Sequence, residues 1–152
     1  MSITKRNPNK IHLGDSHTNN GVLVNDLAAS EAITPGHLVE RFNDSGTIKL
    51  RKHSTAGGLA QHLVALDQNM LNRGYDTDYA IGDLVEALVC PAGESVWMLI
   101  PSGQNIAGGD RLESVGDGTL RILASGVALF EALENMDNTA GPSTARIRVE
   151  AL

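Results

Sequence analysis

A short phrase recurs in this chain and restricts what the chain can fold into. Gly36-His37-Leu38-Val39-Glu40 runs on to Asp44-Ser45-Gly46-Thr47-Ile48-Lys49-Leu50, and Gly109-Asp110-Arg111-Leu112-Glu113 runs on to Asp117-Gly118-Thr119-Leu120-Arg121-Ile122. Each phrase then reaches a matching third piece, Gly58-Leu59-Ala60 with Ala65-Leu66-Asp67 in the first copy and Gly126-Val127-Ala128 with Ala132-Leu133-Glu134 in the second. Three matches in the same order predict a duplicated unit, spanning about residues 36–67 and 109–135. In each copy a glycine turn opens a strand, an Asp/Gly turn reverses it into a second strand, and a third segment opens on glycine. The expected fold class is therefore all-β, a small barrel or tulip-like domain with internally duplicated units. No reactive side chain recurs at the fixed points, so the frame serves shape.

The rest of the chain is read around that frame. Met1 to Asn20 is rich in Asn, Lys, Thr, Ser and His and has no periodicity, which predicts an extended polar and basic arm, residues 1–20, ahead of a single β domain, residues 21–152. Ile33-Thr34-Pro35-Gly36 carries the Pro-Gly pair of a type II turn, and Gly36, Gly82, Gly109 and Gly118 are expected to hold structural turns. In Thr47 to Arg51, Ile48 and Leu50 alternate with Lys49 and Arg51, which predicts a strand with one packed face. A central hairpin is expected at about residues 79–101: Ala87 to Cys90, a Pro91-Ala92-Gly93-Glu94 turn, then Val96 to Ile100, with Trp97 at its edge. Asp67 to Asp78 has no counterpart in the second copy and reads as a long exposed loop. Ala145 to Leu152 alternates Ile147 and Val149 with Arg146 and Arg148 and is expected to close the sheet.

Composition narrows the function. The 152 residues include one cysteine, Cys90, so no disulfide can form within the chain, and no run approaches the roughly 20 apolar residues of a membrane helix. The N-terminus lacks the apolar core of a signal peptide. The expected product is soluble and made in the cytoplasm, with no membrane partner. Lys5, Arg6 and Lys10 are the only charged residues among the first ten, and they leave 9 basic and 18 acidic side chains in the remainder. A basic arm on an acidic body is unsuited to nucleic acid, whose binding depends on phosphate neutralisation.

No catalytic motif is found. There is no phosphate-cradling glycine loop, no His-Glu-x-x-His, no Gly-x-Ser-x-Gly and no paired-cysteine zinc spacing. His12, His17, His37, His53 and His62 lack ligand spacing and read as solvated surface residues. Glu40, Glu86 and Glu113 each follow a turn glycine by four residues, which points to a shared outward, strand-protecting position rather than to a catalytic pair. The expectation is a non-enzyme with no cofactor and no metal.

Ala80 to Val85, Gly109 to Leu112 with Asp117 to Leu120, Gly126 to Ala128 and the closing Ala145 to Val149 together resemble the small capsid decoration, or cement, proteins of tailed bacteriophages. The resemblance covers about Ile33 to Leu152. It implies a structural virion protein on the outer surface of the head, stabilising contacts between subunits of the major capsid protein, with no catalytic residues. It also implies a homo-oligomer, a trimer favoured over a dimer. The arm fits attachment, since an extended segment with Lys5, Arg6, Asn7 and Lys10 can add a strand to a neighbour or follow an acidic groove. Two other readings stay open, a β-barrel interaction module of a phage tail or baseplate and a small carbohydrate-binding or hydrolytic protein using the Trp97 segment.

Overall fold

The computed structural model describes Ile11, residues 21–68 and residues 72–152. Its regular elements are all strands: β1 (Val22–Val24), β2 (Val39–Asp44), β3 (Thr47–Lys52), β4 (Leu63–Ala65), β5 (Ala87–Val89), β6 (Ser95–Ile100), β7 (Asn105–Ile106), β8 (Arg111–Ser114), β9 (Leu120–Ile122), β10 (Phe130–Ala132), β11 (Met136–Asp137) and β12 (Ala145–Ala151). They form a five-stranded antiparallel sheet in the order β6-β12-β10-β8-β9, a three-stranded sheet β1-β5-β4, and two ribbons, β2-β3 and β7-β11. Two apolar clusters fill the interior. One lies around the five-stranded sheet and includes Trp97, Leu112, Phe130, Ile147 and Val149; the other gathers Ile33, Val39, Leu50, Leu63, Tyr79 and Val85.

The closed barrel expected from the strand pattern does not form. The five-stranded sheet stays open because the outer edge of β6 is already occupied: Trp97 N donates to Ile11 O at 2.8 Å and Leu99 N to Gly36 O at 3.2 Å. The central hairpin also gives way. β5 pairs with β1 and β4 while β6 pairs with β12, so the turn at Pro91 to Glu94 connects two different sheets. Competition explains this, since β12 offers β6 six paired positions, from Ala145↔Ile100 to Glu150↔Ser95, whereas three-residue β5 is flanked on both edges. β12 buries Ala145, Ile147, Val149 and Ala151 in strict alternation.

The two halves of the recurring phrase share one wiring. In the first, β2 pairs with β3, and Leu38, just before β2, bridges antiparallel to Val64 in β4; in the second, β8 pairs with β9 and with β10. Gly36 N donates to Ala65 O at 2.8 Å and Ala65 N returns a bond to His37 O at 3.0 Å; Gly109 N donates to Ala132 O at 2.8 Å and Ala132 N returns a bond to Asp110 O at 2.9 Å. The same reciprocal pair appears at Gly82 and Asp83 with Ala29, and at Gly93 and Glu94 with Ala151. All four alanines are buried. A turn glycine and its successor thus clamp a buried alanine on a neighbouring segment, a device used four times.

Three of these turns are closed from within as well. Asp83 Oδ2 accepts from Ala80 N and Asp110 Oδ2 from Ala107 N, each at 2.9 Å, and at the first turn His37 Nδ1 accepts from Thr34 N at the same distance. His37 therefore stands in for an aspartate. Gly36, Gly82, Gly109 and Gly118 have φ of 98°, 90°, 92° and 85°. At Gly36 the left-handed φ at the third position of a type II turn favours glycine, and an added Cβ would lie 3.1 Å from Trp97 O.

Candidate interaction surface

The residues singled out for chemistry are mostly structural. Three histidines fall within the described residues, and none is a freely solvated ring: His37 and His53 are buried, and the Nε2 of half-buried His62 bonds the Leu129 carbonyl at 2.9 Å. His12 and His17 lie outside the described residues. Burial, together with the charge of Lys52, pushes the His37 pKa down to about 4, although Asp117, Asp78 and Glu31 pull the other way. The ring is thus held neutral, as an acceptor must be.

His53 comes closest to a catalytic arrangement. Its Nδ1 lies 2.7 Å from Ser114 Oγ, and its Nε2 is 3.2 Å from Leu59 O and 3.8 Å from Glu40 Oε2. Ser114 is fully buried, and its Oγ also accepts from Gly116 N at 3.1 Å. In the neutral ring Nε2–H donates to the Leu59 carbonyl and Nδ1 accepts from the serine. Such a serine has no approach for a substrate, so the three side chains tie the loop after β3 to the end of β8.

The three glutamates do not share one role. Glu113 is buried rather than outward: its carboxylate accepts from Arg121 Nε at 2.9 Å and from Gly126 N at 2.7 Å. Burial alone would raise its pKa, but these bonds, one from the Ala124 amide and the Arg121 charge hold it below the ordinary carboxylate range. Glu40 is partly exposed, 2.8 Å from Arg51 Nε and 2.7 Å from Ser54 Oγ. Position after a turn glycine does not reveal the difference; the return of the Gly126 loop over β8 decides it.

Two further expectations are corrected. The arm is not detached throughout residues 1–20, because Ile11 is fully buried in the larger cluster, with its amide on Asp67 Oδ1 at 3.2 Å. Lys5, Arg6, Asn7 and Lys10 lie outside the described residues. Nor is Asp67 to Asp78 simply exposed: Asp67 and Gln68 are buried, Gln68 Nε2 donates to Thr77 O, and Arg146 Nη2 reaches Tyr75 O at 2.6 Å and Pro35 O at 3.0 Å. The apolar residue at 11 was the available sequence signal, since nothing in the alternation of β12 separates Arg146, which is held by the loop, from Arg148. Ile48, expected inward, is 47% exposed, because the β2-β3 ribbon projects past Ala28 to Ser30, the segment that covers its edge at Leu50.

What the surface offers is contact area. Gly118 is buried between the two halves, its carbonyl accepting from Leu38 N at 2.8 Å, and an added Cβ would lie 3.0 Å from Lys52 Cγ. Exposed apolar side chains include Val22, Leu23, Leu59, Ile81, Leu84 and Val127. Val22 and Leu23 stand on β1 opposite Val89 and Leu88, and Leu84 bridges Ala28 further along the same antiparallel stretch; Leu59 and Val127 stand on loops joined by the bond from Val127 N to Gly57 O at 2.9 Å. An open groove of about 590 Å³ between the β2-β3 ribbon and the 116–117 turn carries both signs of charge, Glu31, Asp44 and Asp117 against Arg51 and Lys52.

The architecture matches a solved one. Across 87% of this chain and 94% of the other, it is similar to the crystal structure of the head fiber gp8.5 N base in bacteriophage phi29, with a TM-score of 0.59 and 15% sequence identity. The chain shares its fold with a phage head-fiber base. No protein-family model matches the sequence, and no curated protein matches it.

Proposed function

We propose that this chain is a structural, non-enzymatic protein of a phage virion that sits on the outer surface of the head and binds the major capsid protein, stabilising contacts between its subunits. The observation that carries the reading is the fold likeness, which spans nearly the whole of both chains and joins this protein to one whose description places it in a head fiber. The interior supports the reading: buried His53, Glu113 and Ser114 tie loops to strands, and the serine–histidine–carboxylate grouping they include among the described residues is closed to substrate.

Attachment falls to the segment that precedes Ile11. Ile11 is held on β6, and the sequence before it carries Lys5, Arg6, Asn7 and Lys10, whose positive charge and backbone groups suit an acidic or strand-edge surface on the shell. Many such contacts act together on one particle, so each can be weak. Co-sedimentation with undecorated heads tests this. The full chain is expected to pellet with heads, to raise their resistance to heat, and to bind less as salt rises, because exposed ion pairs are screened within about 10 Å at 0.1 M. The chain lacking Met1 to Lys10 is expected to bind more weakly, with a flatter salt response. Failure of the full chain to bind overturns the head assignment; equal binding by the two moves attachment to the β body.

A further inference from the structure

Ile11 fixes where the basic segment ahead of it meets the body. Its amide donates to Asp67 Oδ1 at 3.2 Å, and Gln68, the next residue, lines a half-enclosed pocket of about 290 Å³ together with Asn25, Tyr79, Asp83, Leu84 and Glu86. Leu84 and Tyr79 give the pocket apolar walls, while Asp83 and Glu86 give it two carboxylates. Tyr79 OH donates to Leu66 O at 2.9 Å and accepts from Glu86 N at 3.2 Å. Burial, helped by the charges of Glu86, Asp67 and Asp83 and opposed by the bond from Glu86 N, pushes the Tyr79 pKa up, so the negative charge is felt inside the pocket. From Asp67 to Glu86 the sequence carries five carboxylates, Asp67, Asp76, Asp78, Asp83 and Glu86, and one cation, Arg73. Arg73 shows what the rim accepts: its Nη1 lies 3.2 Å from Gln68 Oε1 and 3.5 Å from Asp83 Oδ2, a guanidinium between an amide oxygen and a carboxylate. Arg146, the cation that reaches this loop from β12, is taken up by the carbonyls of Tyr75 and Pro35.

We infer that this pocket receives the chain's own N-terminal segment, Met1 to Lys10, with a lysine or arginine side chain laid along Leu84 and its charge at Asp83 and Glu86. Charge selects the occupant. Residues 1–10 carry Lys5, Arg6 and Lys10 and no acid, residues 12–20 carry Asp15 and no lysine or arginine, and from Ile11 onward acidic side chains outnumber basic ones two to one. The first ten residues thus offer this acidic site positive charge with no negative charge beside it, whereas the body of another copy would be repelled. The point of attachment selects the same segment. Lys10 is bonded to the residue whose amide sits on Asp67, and ten residues span at most about 35 Å, so all three cations are tethered beside the pocket. Exposed ion pairs are weak one by one, but a short tether gives an effective concentration in the mM range, enough for reversible docking. The shell and this pocket compete for the same cations. The docking concerns the isolated protein and does not depend on the head assignment.

A nitroxide label on the full chain tests it. Ser2→Cys supplies the reactive thiol, because Cys90 is buried and its own thiol is pushed up to about 12. At about 0.02 M salt the label is expected to broaden the backbone amide signals of Gly82, Asp83 and Leu84, and at about 0.5 M salt more than about half of that broadening should be lost as the ion pairs are screened. The same loss at low salt is expected when Lys5→Gln, Arg6→Gln and Lys10→Gln are combined, with the Trp97 fluorescence unchanged because none of the three belongs to the core. Glu86→Gln should reduce the broadening, and Glu150→Gln, on the five-stranded sheet, should leave it as it was. An equal mixture of labelled chain and unlabelled, isotope-enriched chain should show none, since the contact lies within one molecule. Absence of broadening at residues 82–84, broadening indifferent to salt and to the combined arm variant, or broadening that persists in the mixture overturns the inference.

Discussion

His37 converts a fold detail into a measurable pH dependence. At the turn before β2 it accepts from Thr34 N through Nδ1, the place that Asp83 and Asp110 fill at the other turns, and it is 9% exposed. Protonation would turn the acceptor into a donor facing an N–H, at the turn whose glycine seals the edge of β6 through Leu99 N. The folded-state pKa of about 4 lies below the ordinary 6.5, so the unfolded chain takes up the proton first. Stability from this group is fully present above about pH 6.5 and is lost as pH falls toward 4, amounting to about 2 kcal/mol at pH 5 and about 3 kcal/mol at pH 4. Glu40 and Glu113 have lowered pKa values and begin to lose their contribution only below the ordinary carboxylate value of 4.5, so pH 5 separates His37 from them. The perturbation is His37→Asn, whose Oδ1 accepts the same bond and does not titrate. Urea unfolding followed by the fluorescence of Trp97, the only tryptophan, should show the wild-type chain losing about 2 kcal/mol more than the variant between pH 7 and pH 5. Parallel losses in the two proteins would refute the role given to this imidazole.

Other outcomes follow from the same contacts. Removing Met1 to Lys10 should leave the urea midpoint unchanged, whereas Ile11→Ala should cost about 2–4 kcal/mol by emptying a fully buried site, read by the same unfolding assay. Gly126→Ala should cost about 1–3 kcal/mol, because its methyl would overlap Gly57 and the Glu113 carboxylate; thermal unfolding checks it. Glu113→Gln should cost about 1–3 kcal/mol near neutral pH by weakening charge-assisted bonds to Arg121 and Gly126. That difference should shrink as pH falls below the ordinary carboxylate value of 4.5 toward the lowered Glu113 pKa, where the wild-type carboxylate protonates too.

Local chemistry along the sequence determined the all-β class, the strands β2, β3, β8, β9 and β12, and the turns at Gly36, Gly82 and Gly109, because alternation and left-handed φ are properties of a few adjacent residues. The matched phrases run in the same strand order, each opening glycine standing eight residues before the aspartate of the next turn. Tertiary structure alone decided which edges met. It sent β6 to β12 rather than to β5, laid Ile11 along β6, and left the five-stranded sheet open. It also decided the environments of like residues: Glu40 partly solvated and Glu113 buried, His37 neutral in an aspartate's place, Ile48 outward although its pattern points inward. The loops bearing Leu59 and Val127 are legible as equivalent in sequence, but their meeting at Gly57 and Gly126 depends on residues about seventy positions apart. The physical reason is one of range. A turn is decided by dihedral preferences within four residues, while burial, charge state and a free strand edge depend on whatever else competes for the same hydrogen bonds and the same volume, which only the assembled chain determines.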